Sequence, residues 1–252
     1  MGQHDEPKLL TSTQDGVRVL TLNRPRARNA LDSELLQSLF QALDEAATDP
    51  DVGAVLLTGT GPAFCAGFDM KEAMSRPRPE QFWDRYTGSR SGDRIYNILP
   101  LLPKPVITAV NGFAVGAGAA IAISSDIVLA ADSAKLGYPE VNHGIVAATA
   151  AVSLSRTVGR LQALELLLTG RMLEATEAQA LGLVTRVVPA AELADQALAL
   201  ATELAAKPPV AMRMTKEMFR HVQEMDYDRA LEYARDVGQL TREAPAPRPS
   251  EH

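Results

Sequence analysis

Apolar and polar positions along the chain follow two rhythms that alternate. Val17 to Leu22 is a β-rich run that stops at Asn23-Arg24-Pro25, where proline removes a donor and restricts the residue before it. From Asp32 or Ser33, either able to cap orphan amides, Leu35, Leu36, Leu39, Phe40 and Leu43 recur on one helical face as far as Asp49-Pro50. Further apolar runs at Ala54 to Thr58 and Pro105 to Val110 each end in a glycine-containing turn. Ala119 to Ser124 is apolar all round and predicts a buried helix, and Ile127 to Ala131 a short core strand. Strands alternating with helices predict an α/β fold.

Later, the helical rhythm takes over. Val152 to Val158 and Leu161 to Thr169 read as helices, the second with Gly170 as its C-cap. A short helix, a strand over Leu183 to Val188, and helices over Glu192 to Lys207 and Val210 to Leu240 complete the pattern. Met74 to Pro103 is proline-rich and charged and carries the single tryptophan, Trp83; it reads as a partly helical, mobile insertion. The tail from 243 to 252, with Pro245, Pro247 and Pro249, is expected to be disordered.

Composition narrows the function classes. The 252 residues carry 31 Asp and Glu against 25 Lys and Arg, a formal charge of −6, which argues against gripping nucleic acid by bulk charge. Cys65 is the single cysteine, so an intramolecular disulfide and a cysteine-rich zinc site are both excluded, and no metal is expected. Met1 to Lys8 is polar where a secretory signal needs an apolar run, and no stretch reaches about 18 apolar residues. A cytoplasmic protein without a membrane span is expected.

Standard catalytic motifs are mostly missing. There is no phosphate-binding Gly-x-x-x-x-Gly-Lys-Ser/Thr and no His-Glu-x-x-His, and Gly88 to Gly92 has Arg90 where a nucleophile elbow needs serine. Gly116-Ala117-Gly118 lacks the third glycine of a dinucleotide fingerprint, Ile121 standing in its place. A nucleophilic Cys65 has no evident base nearby in sequence. More informative are two glycine loops after strands, Phe64 to Met70 and Asn111 to Gly118. Each can aim a bare peptide N–H into a shared cleft, and two such donors make an oxyanion hole. Tight strand-to-helix turns would account for the glycines equally well.

With these loops stand Asn23 to Leu31, Lys104 to Ala131, Tyr138-Pro139-Glu140, Leu168 to Arg171 and Ala180 to Pro189, and together they resemble the enoyl-CoA hydratase/isomerase (crotonase) family. The resemblance implies a spiral of ββα units over residues 1–190 that binds acyl-CoA. It also implies a helical segment over 191–242 that packs as a homotrimer or dimer of trimers. By the same resemblance the oxyanion donors are the amides of Phe68 and Ala117, the latter where the family has glycine. Ala66, Asp69 and Met70 match positions lining coenzyme A, and Arg26 with Ala27 a position near its phosphates. Coenzyme A is then part of the substrate, and no tightly bound cofactor is implied.

The acids depart from the pattern. The family's hydratases use two glutamates; the first position here is Ala120 and the second is Glu140. Loss of one acid or base group is expected to slow hydration, since such groups contribute roughly 10² to 10⁴ in rate. One carboxylate still suffices to move a proton between the α and γ carbons of an enoyl thioester, as the family's isomerases do. Glu140 is therefore the expected catalytic residue, its pKa raised by apolar Tyr138, Val141 and Ile145. His143 is either a substitute second group or a polar wall of the acyl pocket. Asp69 and Asp126 read as bracing residues. Three functions stay open: an isomerase-like enzyme, a hydratase or hydrolase with a substitute group, and a non-catalytic acyl-CoA binder.

Overall fold

The computed structural model describes residues 6–75, 81 and 94–243. Most of the Met74 to Pro103 insertion, including Trp83, and the tail beyond 243 lie outside the described residues. Strand β1 (Leu9–Gln14) pairs antiparallel with β2 (Val17–Leu22), Leu9 opposite Leu22. The sequence pattern misses β1 because only Leu9 is buried, so the strand has no apolar alternation. Helix α1 (Ser33–Thr48) follows, with the Asp32 carboxylate accepting from the Leu35 amide at 2.9 Å as its N-cap. Leu35, Leu39 and Leu43 of α1 are fully buried.

From here the chain repeats one manoeuvre. Strands β3 (Ala54–Gly59), β5 (Val106–Val110) and β7 (Ile127–Ala131) enter one parallel sheet. Each is followed within a few residues by a three-residue strand: β4 (Ala63–Cys65), β6 (Phe113–Val115) and β8 (Lys135–Gly137). These short strands pair in parallel with one another as a second sheet. Helices α2 (Met70–Ser75), α3 (94–101), α4 (Ala117–Ile123) and α5 (Ala150–Thr157) carry the chain onward. The result is the expected spiral of ββα units. Among the described residues the first sheet has the order β1-β2-β3-β5-β7-β10, where β10 is Arg186–Val188, and the second β4-β6-β8-β9, where β9 is Met172–Glu174. Strand β10 is shorter than the expected Leu183 to Val188, because Leu183 and Val184 are spent on the turn after α7 (Ala175–Ala180), both donating to the Ala178 carbonyl.

Burial on both faces explains why β3 and β5 read as unbroken apolar runs: Ala54 to Leu57 and Val106 to Val110 are all buried. Small residues let α4 sit inside the molecule, with Ala117 to Ala122 all buried. Helix α6 (Arg160–Thr169) ends, as expected, on Gly170 in the left-handed conformation. Helix α8 (Leu193–Ala205) packs across the first sheet.

The expected single helix from Val210 to Leu240 is instead a hairpin of α9 (Pro209–Val222) and α10 (Tyr227–Glu243). Asp226 is the reason for the break: its carboxylate accepts from the Arg229 amide at 3.2 Å and caps a new helix. Lys216 fastens α9 to the core, donating to the carbonyls of Leu99 (2.9 Å) and Lys104 (3.1 Å) and to Asp126 (2.7 Å). The hairpin leaves Val210, Phe219, Leu231 and Leu240 exposed. Among the described residues no helix is long and apolar enough to cross a membrane.

Candidate functional site

The parallel strands β3 and β5 deliver their following loops to the same edge of the sheet, where open α/β folds place ligands. Gly67 has φ of +87°, and a side chain there would meet the Val115 carbonyl at 3.0 Å and the Ala117 nitrogen at 3.4 Å. The two glycine loops are therefore in contact. Leu31 forms an isolated parallel bridge with Phe68: its amide donates to the Gly67 carbonyl (2.8 Å), and its carbonyl accepts from the Asp69 amide (3.0 Å). Because the flanking peptides make that bridge, the Phe68 N–H turns away from Leu31. Ala117 opens α4, so its N–H has no intrahelical acceptor. Among the described residues no acceptor takes either amide.

A polar network braces the first loop. Arg24 donates to Asp69 (2.9 Å) and to the Ala30 carbonyl, and lies 3.2 Å from Asp32. The other Asp69 oxygen accepts from the amides of Lys71 (3.1 Å) and Glu72 (3.2 Å), which starts α2. The Arg24 guanidinium holds the Asp69 carboxyl below its ordinary range, helped by the Glu72 amide. Asn29 is fully buried and donates to the carbonyls of Thr60 (2.9 Å) and Ala63 (2.8 Å). The bracing role expected for Asp69 is thus the one its hydrogen bonds describe. Arg24 and Asn29 escape the sequence reading, although the signal was there: a polar Asn-Arg-Pro turn leading into a buried asparagine.

Glu140 sits in a 3₁₀ turn, Pro139–His143, directly after β8. Its carboxyl lies against Gly116: a side chain there would come within 2.6 Å of Oε1. Gly116 has φ of +54°, and its amide donates to the Gly137 carbonyl at 2.9 Å, so β8 and the second loop are locked together. The carboxyl consequently stands beside the peptide that carries the Ala117 amide. Burial raises the Glu140 pKa, opposed by a hydrogen bond from its own backbone. Of the three expected apolar neighbours, Tyr138 is buried at 2% exposure, whereas Val141 and Ile145 are 42% and 41% exposed.

The remaining expected residues are placed as follows. Arg26 is exposed and Ala27 half-buried in the 3₁₀ turn Pro25–Ala27; the next residue, Arg28, accepts from the Ala66 amide at 3.0 Å. Ala66 is half-buried, while Phe68 and Met70 are exposed. His143 is exposed at the end of the Glu140 turn. Ala120 is buried on α4, without any acid or base function to offer. Burial pushes the Cys65 thiol up to about 12, so a nucleophilic thiolate near neutral pH is ruled against. Asp126 accepts from the Val106 amide (2.7 Å) and from Lys216, which makes it a bracing residue as expected. Among the described residues no cluster of His, Cys, Asp or Glu is arranged to hold a metal.

Comparison with known proteins points to one family. Residues 12–244 match the enoyl-CoA hydratase/isomerase family model. A Thermus thermophilus protein provisionally named enoyl-CoA hydratase is 46% identical over 202 residues, 80% of this chain and 79% of the relative. The short-chain-enoyl-CoA hydratase of Clostridium acetobutylicum is 39% identical over 219 residues, 86% of this chain and 82% of its own. The crystal structure of an enoyl-CoA hydratase from Mycobacterium smegmatis superposes with a TM-score of 0.88 at 36% identity, covering 95% of this chain and 93% of that one.

Proposed function

The chain belongs to the enoyl-CoA hydratase/isomerase family, and from that premise we propose that it moves a proton along the acyl chain of an enoyl-CoA with a single carboxylate. The observation that carries the reading is the Glu140 carboxyl seated against Gly116, next to the Ala117 amide, with alanine at 120. A 3-enoyl thioester would place its carbonyl oxygen between the amides of Phe68 and Ala117. The Glu140 carboxylate takes a proton from the α carbon, and the electron pair spreads over the dienolate. Charge gathered on the thioester oxygen is held by the two amides, which need no reorganisation to receive it. The same carboxyl returns the proton to the γ carbon, and the double bond ends between the α and β carbons. A raised pKa suits a group that must both take and give a proton near neutral pH.

Coenzyme A would lie along Ala66 and Met70, with its phosphates toward Arg26 and Ala27 and His143 at the wall of the acyl pocket. Asp69 supports that surface from behind, since its carboxylate is engaged by Arg24 and the start of α2. The exposed apolar residues of the α9–α10 hairpin favour assembly into a trimer or a dimer of trimers.

A hydratase is the second reading, and the names of the relatives favour it: besides the Clostridium protein, an Escherichia coli relative 35% identical is a 2,3-dehydroadipyl-CoA hydratase. Incubation with 3-hexenoyl-CoA and, separately, with 2-hexenoyl-CoA, followed by chromatographic separation of the double-bond isomers and mass spectrometry of each product, decides between them. Interconversion without a mass change supports the isomerase. A gain of one water from 2-hexenoyl-CoA, with 3-hexenoyl-CoA untouched, replaces it with the hydratase.

A further inference from the structure

Two buried oxygens of the Tyr138-Pro139-Glu140 segment lack a partner among the described residues: the Tyr138 hydroxyl and Glu140 Oε2. Buried polar groups elsewhere are better served. Asn29, Asp32 and Thr108 all have partners, and Asn111, whose Oδ1 is unmet, still donates to the Gly61 carbonyl at 2.9 Å. Phenylalanine would fill the Tyr138 volume without leaving a hydroxyl unpaired, so packing does not account for the oxygen. The two groups also sense each other: burial first, then the charge of Glu140, then Tyr96 of α3, raise the Tyr138 phenol pKa. The two residues stand two positions apart on one turn, and no hydrogen bond joins their side chains.

We propose that Tyr138 is a positioning residue for Glu140, its hydroxyl donating to Oε2 in the loaded site, through one water or after a small rotation of the carboxyl. Oε1, the oxygen beside Gly116, is then the one that exchanges the proton with the acyl chain. The inference rests on Glu140 being the proton carrier. It gives the lone carboxyl a fixed orientation, a need sharpened by alanine at 120. Among the described residues, other ionisable groups around the turn are few. His143 ends it, Tyr96 comes from α3, and α4 has none. Helix α6, packed against the turn, carries Arg160 and Glu165, the latter paired with Arg171 at 2.6 Å.

Tyr138→Phe in the full chain, compared with Glu140→Gln on 3-hexenoyl-CoA and 2-hexenoyl-CoA, tests the proposal. The expected Tyr138→Phe protein has an unchanged or higher Tm, a kcat lower by about tenfold and a nearly constant KM. Donation to Oε2 in the loaded site favours the charged carboxylate, so removing it moves the acid limb of kcat, which reports the substrate complex, to higher pH. An unchanged rate and pH limb, with Glu140→Gln inactive, overturns the role of Tyr138 alone. A lower Tm also overturns it, since the hydroxyl would then be bonded within the fold. A fully active Glu140→Gln overturns the reading of Glu140 beneath it.

Discussion

The Arg24 network and the Tyr138-Glu140 turn are both polar and largely withdrawn from water, and each stands beside one of the two free amides. They differ in completeness. Behind Phe68, Arg24, Asp69, Asp32 and Asn29 are bonded to one another or to backbone. In the Tyr138-Glu140 turn, a phenol and a carboxyl oxygen are buried without partners among the described residues. Polar groups that close on themselves hold a loop in place; polar groups left open in a cavity are available to a ligand. The comparison sets a closed brace behind one amide against an open polar pair near the other.

The largest effect is expected where the open side is obstructed. Gly116→Ala puts a methyl group 2.6 Å from Glu140 Oε1 at a φ of +54°, so the carboxyl must move. Turnover of the hexenoyl-CoA substrates should fall by about a hundredfold or more, given how steeply rate depends on positioning. Circular dichroism should show the fold retained. Wild-type turnover in this variant would mean that Glu140 need not stand beside the Ala117 amide.

A smaller loss follows from opening the closed side. Arg24→Gln leaves Asp69 and Asp32 without their guanidinium and should cost about 2 kcal/mol in urea unfolding, within the range for partly buried charge pairs. The Asp69 carboxyl has a lowered pKa, chiefly through Arg24, so its contribution is present above the unfolded value and lost as pH falls through the folded one. The wild-type advantage over Arg24→Gln should therefore shrink in acid. An advantage that is flat with pH would remove Arg24 from the bracing of the loop.

The smallest effect has the opposite sign. Glu140 has a raised pKa, so any stability tied to its protonated form is present below the unfolded value and lost as pH rises through the folded one. Glu140→Gln should thus be slightly more stable than wild type at pH 7. At pH 4 the two proteins should unfold alike. Equal stability at both pH values would show Glu140 to be as well solvated as a surface carboxylate.

Element type was legible wherever an apolar rhythm ran long enough. Leu35, Leu39 and Leu43 mark α1, and the unbroken runs mark β3 and β5. The second sheet was not legible, because three residues such as Phe113–Val115 cannot show a period of two. Nor was the break at Asp226, where both flanking segments are amphipathic and an N-cap aspartate looks like any surface charge. The roles proposed for Phe68, Ala117 and Glu140 came from the resemblance of their ordered motifs to the family, since spacing alone allows plain strand-to-helix turns. Tyr138 was read only as apolar cover, since whether a hydroxyl finds a partner depends on residues distant in sequence.

By itself, the sequence determined the alternation of strand and helix, the two glycine loops, the lone glutamate after Tyr138-Pro139 and the alanine at 120, all properties of local pattern. Only the tertiary structure decided that Gly67 abuts Ala117, that Gly116 faces the Glu140 carboxyl, and which buried polar atoms are paired. The reason is physical. Hydrophobic periodicity is written in neighbouring residues, whereas a hydrogen bond or a missing Cβ acts on whatever the fold brings within a few ångströms.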